Sequence, residues 1–227
     1  MTVSIIIPTW NKADLLSDCL DALHATAPTT PVIVVDNGSE DRTDDLVANH
    51  EHPAGITYIR IDTNEGFAPA CNKGARAATT SHVLFLNNDT IPQPGWLAPM
   101  ERAAKEHPIV GAHLTYPDGG TQHAGILLTR PGGVLTGVNI TQPRPSGPRA
   151  AVTGACLLID RHIFDEVGGF HEGFRNGYED IDLCLAVRDV WYCADANVVH
   201  LESRTPGRFT HAQHNIELLQ ERWGRRR

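Results

Sequence analysis

Short apolar runs alternate with amphipathic stretches along the first ninety residues. Continuous apolar runs of this length are typical of strands buried in a parallel sheet. The predicted strands are Val3–Ile7, Val32–Val35, Ile56–Ile61 and His82–Leu86. Helical spacing predicts three intervening helices, one opened by Asn11, one ending near Asn49 and one over Ala68–Ala78. Strands that alternate with helices indicate βαβ units and therefore an α/β fold.

The pattern is less regular after residue 90. It predicts helices over Trp96–Glu106, Tyr178–Val190 and Thr210–Trp223, and a short helix that ends at Gly168-Gly169. It predicts strands over Ile109–Tyr116, Gly125–Leu128, Ala155–Ile159 and Val198–Leu201. The segment Thr129–Pro148 is rich in Gly, Pro, Thr and Arg and predicts a mobile active-site loop. No internal repeat or linker interrupts the chain, which favours one domain.

Composition excludes several classes of protein. A hydrophobic content of 41% and a charged content of 20% are those of a globular protein. A net charge of −8 argues against a nucleic-acid partner. The arginines Arg222, Arg225, Arg226 and Arg227 form one basic cluster near the C-terminus. That cluster is suited to peripheral contact with an anionic membrane, or is a frayed solubilising end.

Five cysteines without CxxC spacing favour a reducing compartment over a disulfide framework. The first residues lack the basic start of a signal peptide, and no apolar run approaches the ~20 residues of a membrane span. We therefore expect a cytoplasmic protein, at most peripheral at the inner face of the membrane.

Polar residues follow several predicted strands at the edge where open α/β sheets bind ligands. Trp10 follows the first strand, Asp36 ends the second, and Gly66 opens the way into a helix after the third. Glycine permits close backbone approach, and a helix N-terminus favours anions such as diphosphate. Asp89 follows the fourth strand, where a carboxylate can hold a divalent cation.

A set of ordered motifs then resembles a known family. The motifs are Ser4–Asn11, Val35–Ser39, Asn64–Ala68, Leu86–Thr90, Thr153–Ala155 and Gly177–Cys184. They are similar to the signature motifs of inverting family 2 glycosyltransferases of the GT-A fold, and more narrowly to rhamnosyltransferase-like enzymes of bacterial surface glycans. The stretch Thr121–Gly125 also resembles this branch, without an assignable role.

The resemblance implies a fold and a division of labour. The GT-A fold is α/β, with a single mixed, mostly parallel sheet flanked by helices. Residues 1–227 would form one such domain, with a nucleotide-binding half at 1–90 and an acceptor-binding and catalytic half at 91–227. The activity implied is metal-assisted transfer from a UDP-, dTDP- or GDP-linked sugar to a glycan or lipid-linked acceptor.

Site residues follow from the same resemblance, position by position. Asp180 would be the catalytic base, and Glu179 would hold a sugar hydroxyl. Asp89 and His200 would bind Mn²⁺ or Mg²⁺, although Asn87 replaces the first acid of the family's DXD motif. Residues implied in nucleotide-sugar binding, with Asp36 reading the base, are Pro8, Thr9, Trp10, Asp36, Asn64, Gly66, Asn72, Asn87, Asn88, Gly154 and Ala155.

Alternatives stay open at this point. The acids at 179, 180 and 182 are also what a charged first helical turn would show. His200 is also consistent with a strand-end histidine that binds no metal. A catalytically silent nucleotide-sugar-binding subunit would carry the same motifs. A sugar-phosphate nucleotidyltransferase shares the architecture but would need a Gly-rich basic loop where Pro8–Asn11 stands.

Overall fold

A computed structural model describes residues 1–202 and 210–224. The front half contains β1 (Val3–Thr9), α1 (Ala13–Thr26), β2 (Val32–Asp36), α2 (Thr43–Asn49), β3 (Ile56–Arg60), α3 (Phe67–Ala77) and β4 (His82–Leu86). The middle contains β5 (Thr90–Pro92), α4 (Leu97–Ala103), β6 (Ile109–Thr115), β7 (Thr121–His123), β8 (Ile126–Thr129), β9 (Thr136–Asn139) and β10 (Gly147–Pro148). The last elements are β11 (Cys156–Asp160), α5 (Arg161–Glu166), α6 (Glu179–Val187), β12 (Val190–His200) and α7 (Ala212–Trp223).

One ten-stranded sheet runs through the molecule in the order β10-β12-β6-β11-β4-β1-β2-β3. The four strands from β4 to β3 are mutually parallel, as are β6 and β12, whereas β11 is antiparallel to both of its neighbours. β5 pairs with β12, and β7 pairs with β6. The predicted α/β class with a mixed, mostly parallel sheet flanked by helices is confirmed.

The sheet is buried on both faces, so each face packs its own hydrophobic core. In β1, Ile5 and Ile7 pack in the same cluster as Leu16 of α1. The intervening Ile6 packs in the other cluster with Cys71 of α3. Successive side chains of a strand point to opposite faces, which is why one apolar run supplies both cores. All five cysteines are free and buried.

The structure corrects the predicted bounds of the late elements. The helix predicted over Tyr178–Val190 ends at Val187, because Arg188 adopts a left-handed φ of 69°. Helices usually end this way on Gly, so an arginine at that position gives no stop signal. The strand predicted at Val198–Leu201 is the end of β12, whose first residues pair in parallel with β6.

The segment Thr129–Pro148 is more ordered than the predicted loop. It contains β9 and β10, and β9 pairs with β8 as a separate two-stranded sheet. The strands β5 and β7, of three residues each, were not predicted because they are too short to show a period of two. Both prove important for the site.

The first helix begins later than predicted. Asn11 and Lys12 both have left-handed backbone, with φ of 55° and 62°, and α1 starts at Ala13. The N–H of Ala13 is bound by Asp41 Oδ2 at 3.0 Å, so the helix start is capped from another loop.

Within the residues that the structure describes, no helix has both the length and the apolar character needed to cross a membrane. The arginines at 225–227, part of the basic cluster considered for membrane contact, lie outside the described residues. Arg222 is described, and its Nε donates to Asp182 Oδ1 at 2.5 Å.

Candidate active site

A cavity of about 240 Å³ opens at the carboxyl ends of β1 and β4. All but two of the predicted site residues line it. Those that do are Pro8, Thr9, Trp10, Asn64, Gly66, Asn87, Asn88, Asp89, Gly154, Ala155, Glu179, Asp180 and His200. A larger open groove of about 870 Å³ lies beside the beginning of β3, and none of the predicted site residues lines that groove.

Strand pairing brings the two halves of the chain together at this cavity. β11 runs antiparallel to β4, with Cys156 opposite Leu86, so the start of β11 meets the end of β4. The N–H of Asn87 donates to the carbonyl of Ala155 at 3.0 Å, which extends this contact past the strand end. The turn at 153–155 therefore lies against the Asn87–Asp89 loop.

The short strand β5 places Asp89 beside His200. Thr90 pairs with His200 across β5 and β12, and the N–H of Leu201 donates to the carbonyl of Asp89 at 2.9 Å. As a result, Asp89 Oδ1 lies 3.1 Å from His200 Nε2, and both residues are 7% exposed. Asn87 Nδ2 is 3.4 Å from the same imidazole nitrogen.

Gln122 on β7 holds the other side of the His200 ring. Its Oε1 accepts a hydrogen bond from His200 Nδ1 at 2.6 Å, and its Nε2 donates to the His200 carbonyl at 3.2 Å. The sequence assigns no role to the stretch that contains Gln122. The pairing of β7 with β6 shows what the sequence does not, namely that Gln122 lies beside His200.

Asp180 is the second residue of α6 and is held from the 153–155 turn. Its Oδ2 accepts a hydrogen bond from the N–H of Gly154 at 3.0 Å, and its Oδ1 accepts from the N–H of Ile181 at 2.8 Å. Glu179, 6% exposed, accepts from the N–H of Gly177 at 2.7 Å. Both acids lie at the helix N-terminus, where negative charge is favourable.

His123 is hydrogen-bonded to the same turn, residues 153–155. Its Nε2 accepts a hydrogen bond from the N–H of Thr153 at 3.2 Å, and its Nδ1 is 3.3 Å from Asn139 Oδ1. Burial lowers the pKa of His123 to about 4, which keeps the ring neutral and leaves Nε2 able to accept. The sequence assigns no role to the stretch Thr121–Gly125, which contains His123.

Two predicted site residues lie outside the cavity. Asp36 is fully buried, and its carboxylate accepts from Tyr58 Oη at 2.5 Å, Arg60 at 2.6 Å and the N–H of Ser39 at 2.8 Å. Burial and then the bond to Asp36 raise the pKa of Tyr58 to about 12, so Tyr58 stays a donor. These partners turn Asp36 toward β3 and away from the cavity.

Asn72 is the second such residue. Its side chain donates to the carbonyl of Phe170 at 2.8 Å and to Glu172 at 2.9 Å, and it accepts from the N–H of Phe170 at 2.9 Å. It therefore fastens the segment 170–172 to α3.

Several residues that line the cavity were not predicted as site residues. They are Lys12, Asn37, Phe67, Thr153, Asn176, Gly177 and Glu202. Lys12, Asn176 and Glu202 have left-handed backbone with φ of 62°, 52° and 47°. Non-glycine residues in this region cluster at functional sites, but no sequence pattern marks them in advance.

The cavity carries more negative than positive charge. Asp89, Glu179, Asp180 and Glu202 line it, whereas Lys12 is its one Lys or Arg among residues 1–202 and 210–224. In the same described residues, no group of three or more His, Cys, Asp or Glu side chains is arranged to hold a metal ion. The pair Asp89–His200 is therefore the candidate for a cation that takes its remaining ligands from substrate or water.

Comparison with known protein families shows which family the chain belongs to. The model of glycosyl transferase family 2 matches residues 4–168. The chain belongs to glycosyl transferase family 2. The match covers the strand-end motifs and stops before α6, which carries Asp180.

Individual relatives are consistent with this family. The chain is 30% identical over 224 residues to the O-antigen biosynthesis protein RfbC of Myxococcus xanthus, covering 88% of this chain. Among solved structures, it superposes on S. aureus TarS in complex with UDP-GlcNAc with a TM-score of 0.70, at 17% identity, over 96% of this chain and 66% of that one. The mannosyltransferase PcManGT of Pyrobaculum calidifontis, in complex with GDP-Man and Mn²⁺, gives a TM-score of 0.68 at 19% identity, over 95% of this chain and 60% of that one.

The relatives are longer proteins. The chain spans only 17% of the length of RfbC. The two superpositions fall below 25% identity and establish the fold, not the donor or the acceptor.

Proposed function

We propose that this glycosyltransferase moves a sugar from a nucleoside-diphosphate sugar to an acceptor hydroxyl with inversion, in one displacement, with Asp180 as the base. The observation that carries the proposal is that one cavity holds Asp180, fixed by the N–H of Gly154, together with Asp89 and His200. A positioned carboxylate can take the acceptor proton as the oxygen attacks the anomeric carbon and the bond to diphosphate breaks.

A divalent cation fits the residues present. Gln122 Oε1 accepts a hydrogen bond from Nδ1–H of His200, and in the tautomer that carries its proton on Nδ1 the lone pair of Nε2 faces the carboxylate oxygen of Asp89. Two acceptors that face each other are suited to a cation, and imidazole with carboxylate suits Mn²⁺ or Mg²⁺. When bound, the cation would neutralise charge on the departing diphosphate. The crystallisation of PcManGT with Mn²⁺ supports this assignment.

The charge of the cavity gives a second reason for the cation. A nucleoside diphosphate would enter beside Asp89, Glu179 and Glu202, and like charges in a partly buried site repel. Lys12 offers one compensating charge at the cavity wall. A divalent cation would supply the rest, which predicts that nucleotide and cation bind together.

We assign the nucleotide to the part of the cavity made by the first half of the chain, residues 1–90. Pro8, Thr9, Trp10, Asn64 and Gly66 line it there, and α3 begins directly after Gly66. Trp10 is 43% exposed, which suits a side chain that covers a base. Asp36, which we expected to read the base, would contribute to base binding indirectly, because its carboxylate holds Arg60 and the turn at Ser39 in place. Complexes of the structural relatives with UDP-GlcNAc and GDP-Man favour a UDP-, dTDP- or GDP-linked donor.

The acceptor would occupy the half formed by residues 91–227, next to Asp180 and Glu179. The relationship to an O-antigen biosynthesis protein supports a glycan or lipid-linked acceptor, and hexosyl or rhamnosyl transfer. Such an acceptor would place the protein at the cytoplasmic face of a membrane. A nucleotidyltransferase is disfavoured by family membership.

The test is transfer by Asp180→Asn. The amide keeps the shape and accepts from Gly154, but it cannot take a proton, so we expect turnover to fall about 10²- to 10⁴-fold. Release of nucleoside diphosphate from UDP-GlcNAc, GDP-mannose and dTDP-rhamnose would be measured, with donor affinity followed in parallel and expected to stay unchanged. Asp165→Asn, on the 55%-exposed side chain of α5, is the matched control.

Two results would contradict the proposal. Turnover by Asp180→Asn equal to that of the wild type would remove Asp180 as the base. A wild-type protein that binds a nucleotide sugar but releases no product with any acceptor or cation would instead favour the silent binding subunit.

A further inference from the structure

The geometry points to Gln122 as a positioning residue that fixes the tautomer of His200, holding the lone pair of Nε2 toward Asp89. This inference rests on the proposed function in one respect, because the Asp89–His200 pair is the cation site that the proposed function requires. Gln122 lies on β7, outside the sequence motifs to which the family resemblance gives a role.

The orientation of the Gln122 amide follows from its two partners. The His200 carbonyl can only accept, so the amide atom 3.2 Å from it is the nitrogen. The other amide atom is therefore the oxygen, which can only accept, and it lies 2.6 Å from His200 Nδ1. The proton shared on this side of the ring belongs to Nδ1.

All three side chains of this arrangement are buried. Gln122, Asp89 and His200 are each 7% exposed, so water has little opportunity to replace the hydrogen bonds between them. In the tautomer that carries its proton on Nδ1, Nε2 is an acceptor and lies 3.1 Å from an oxygen of Asp89 that is also an acceptor. Both atoms could serve as ligands to one cation. Histidine ligands are generally fixed in this way by an acceptor on the second nitrogen.

The strands explain why Gln122 can act on His200 from a distance of 78 residues in sequence. β7 pairs with β6, and β6 pairs with β12, which ends at His200. A glutamine of β7 therefore reaches both the ring and the backbone of the last residue of β12.

The test compares Gln122→Leu with the wild-type full chain. Leucine has a similar size but neither donates nor accepts, so the Nδ1 proton loses its partner. Nitrogen-15 NMR of the metal-free protein at pH 7.5 should show a proton on Nδ1 of His200 in the wild type, and a shift of that proton toward Nε2 in the variant. Titration with MnCl₂, with and without UDP or GDP, followed by electron paramagnetic resonance, should show about 10- to 100-fold weaker binding in the variant.

Gln220→Leu is the matched control. Gln220 also uses its amide for two backbone bonds, accepting from the N–H of Leu135 at 3.0 Å and donating to its carbonyl at 2.7 Å. It lies outside the cavity lining, so its loss should leave the His200 tautomer and the Mn²⁺ affinity unchanged.

The outcomes separate this inference from the proposed function. An unchanged distribution of the His200 proton in Gln122→Leu, or an Nδ1 of His200 without a proton in the wild type, would overturn the role of Gln122. Unchanged Mn²⁺ affinity in the variant would overturn it as well. A wild type that binds no Mn²⁺ would refute the cation site of the proposed function, while the tautomer measurement would still decide the role of Gln122.

Discussion

His123 shows how one buried side chain links stability to the site. His123 is 1% exposed, and its Nε2 accepts a hydrogen bond from the N–H of Thr153. The next residue, Gly154, donates its N–H to Asp180. Protonation of Nε2 would convert this acceptor into a donor that faces another donor. The turn at 153–155 therefore depends on a neutral imidazole of His123.

This dependence predicts a specific loss of stability in acid. Burial lowers the pKa of His123 from 6.5 to about 4, so the unfolded chain binds the proton first as pH falls. The stabilisation is fully present above pH 6.5 and is lost as pH falls toward 4, with roughly 2 kcal/mol gone between pH 7 and pH 5. Urea unfolding at the two pH values should show this loss in the wild type.

His123→Gln should lose less stability over the same interval. Its amide oxygen can still accept from Thr153, but it cannot titrate in this range. His162→Gln, on a side chain that is 81% exposed, should follow the wild type. An equal pH dependence of unfolding in His123→Gln and the wild type would show that His123 does not carry the effect.

At the scale of elements, α3 lies unusually close to the sheet. A Cβ built on Gly74 would stand 2.4 Å from Cγ2 of Ile6 in β1 and 3.0 Å from Cγ2 of Val35 in β2. Only the absence of a side chain allows this approach.

Gly74→Ala should therefore destabilise the protein. Alanine favours a helix over glycine by about 1 kcal/mol, but overpacking a core costs about 1–3 kcal/mol, and the contact is with side chains that are fully buried. Because the 2.4 Å approach is far inside van der Waals contact, we take a cost of about 2–3 kcal/mol and expect a net loss of roughly 1–2 kcal/mol in the free energy of unfolding by urea. Lys73→Ala, one position earlier on the helix, should change it by less than about 0.5 kcal/mol. A Gly74→Ala protein as stable as the wild type would mean that α3 can move away from β1.

The elements of the first ninety residues could be predicted because their apolar runs are long and regular. β1, β2, β3 and β4 lie within a few residues of the predicted strands. Later elements depend on tertiary contacts. The sequence does not show that Arg188 would take a left-handed backbone, nor that β5 and β7 would form from three residues each.

At the scale of the whole molecule, the site is assembled from strand ends that are far apart in sequence. Asp89 and Asp180 could be selected from the sequence because each lies in a recognisable motif. Gln122 and Lys12 could not be, since their positions depend on strand pairing and on left-handed backbone. Asp36 illustrates a different limit, because the sequence does not show that Arg60 and Tyr58 contact the carboxylate of this strand-end acid.

The assembled cavity predicts that nucleotide and cation bind cooperatively. Acidic side chains outnumber basic ones along its wall, so each ligand should strengthen the binding of the other. Substitution of Asp89 should remove this coupling without unfolding the protein, because an asparagine retains the shape of the side chain.

The most direct measurement is calorimetric titration with UDP, dTDP and GDP, each in Mn²⁺ or in EDTA, for the wild type and Asp89→Asn. We predict that one nucleotide binds in Mn²⁺, that EDTA weakens its binding at least about tenfold, and that Asp89→Asn in Mn²⁺ behaves like the wild type in EDTA. Asp165→Asn should match the wild type. Equal nucleotide affinity in Mn²⁺ and EDTA would remove the cation from this account, and failure to bind any of the three nucleotides would contradict the glycosyl-transfer site itself.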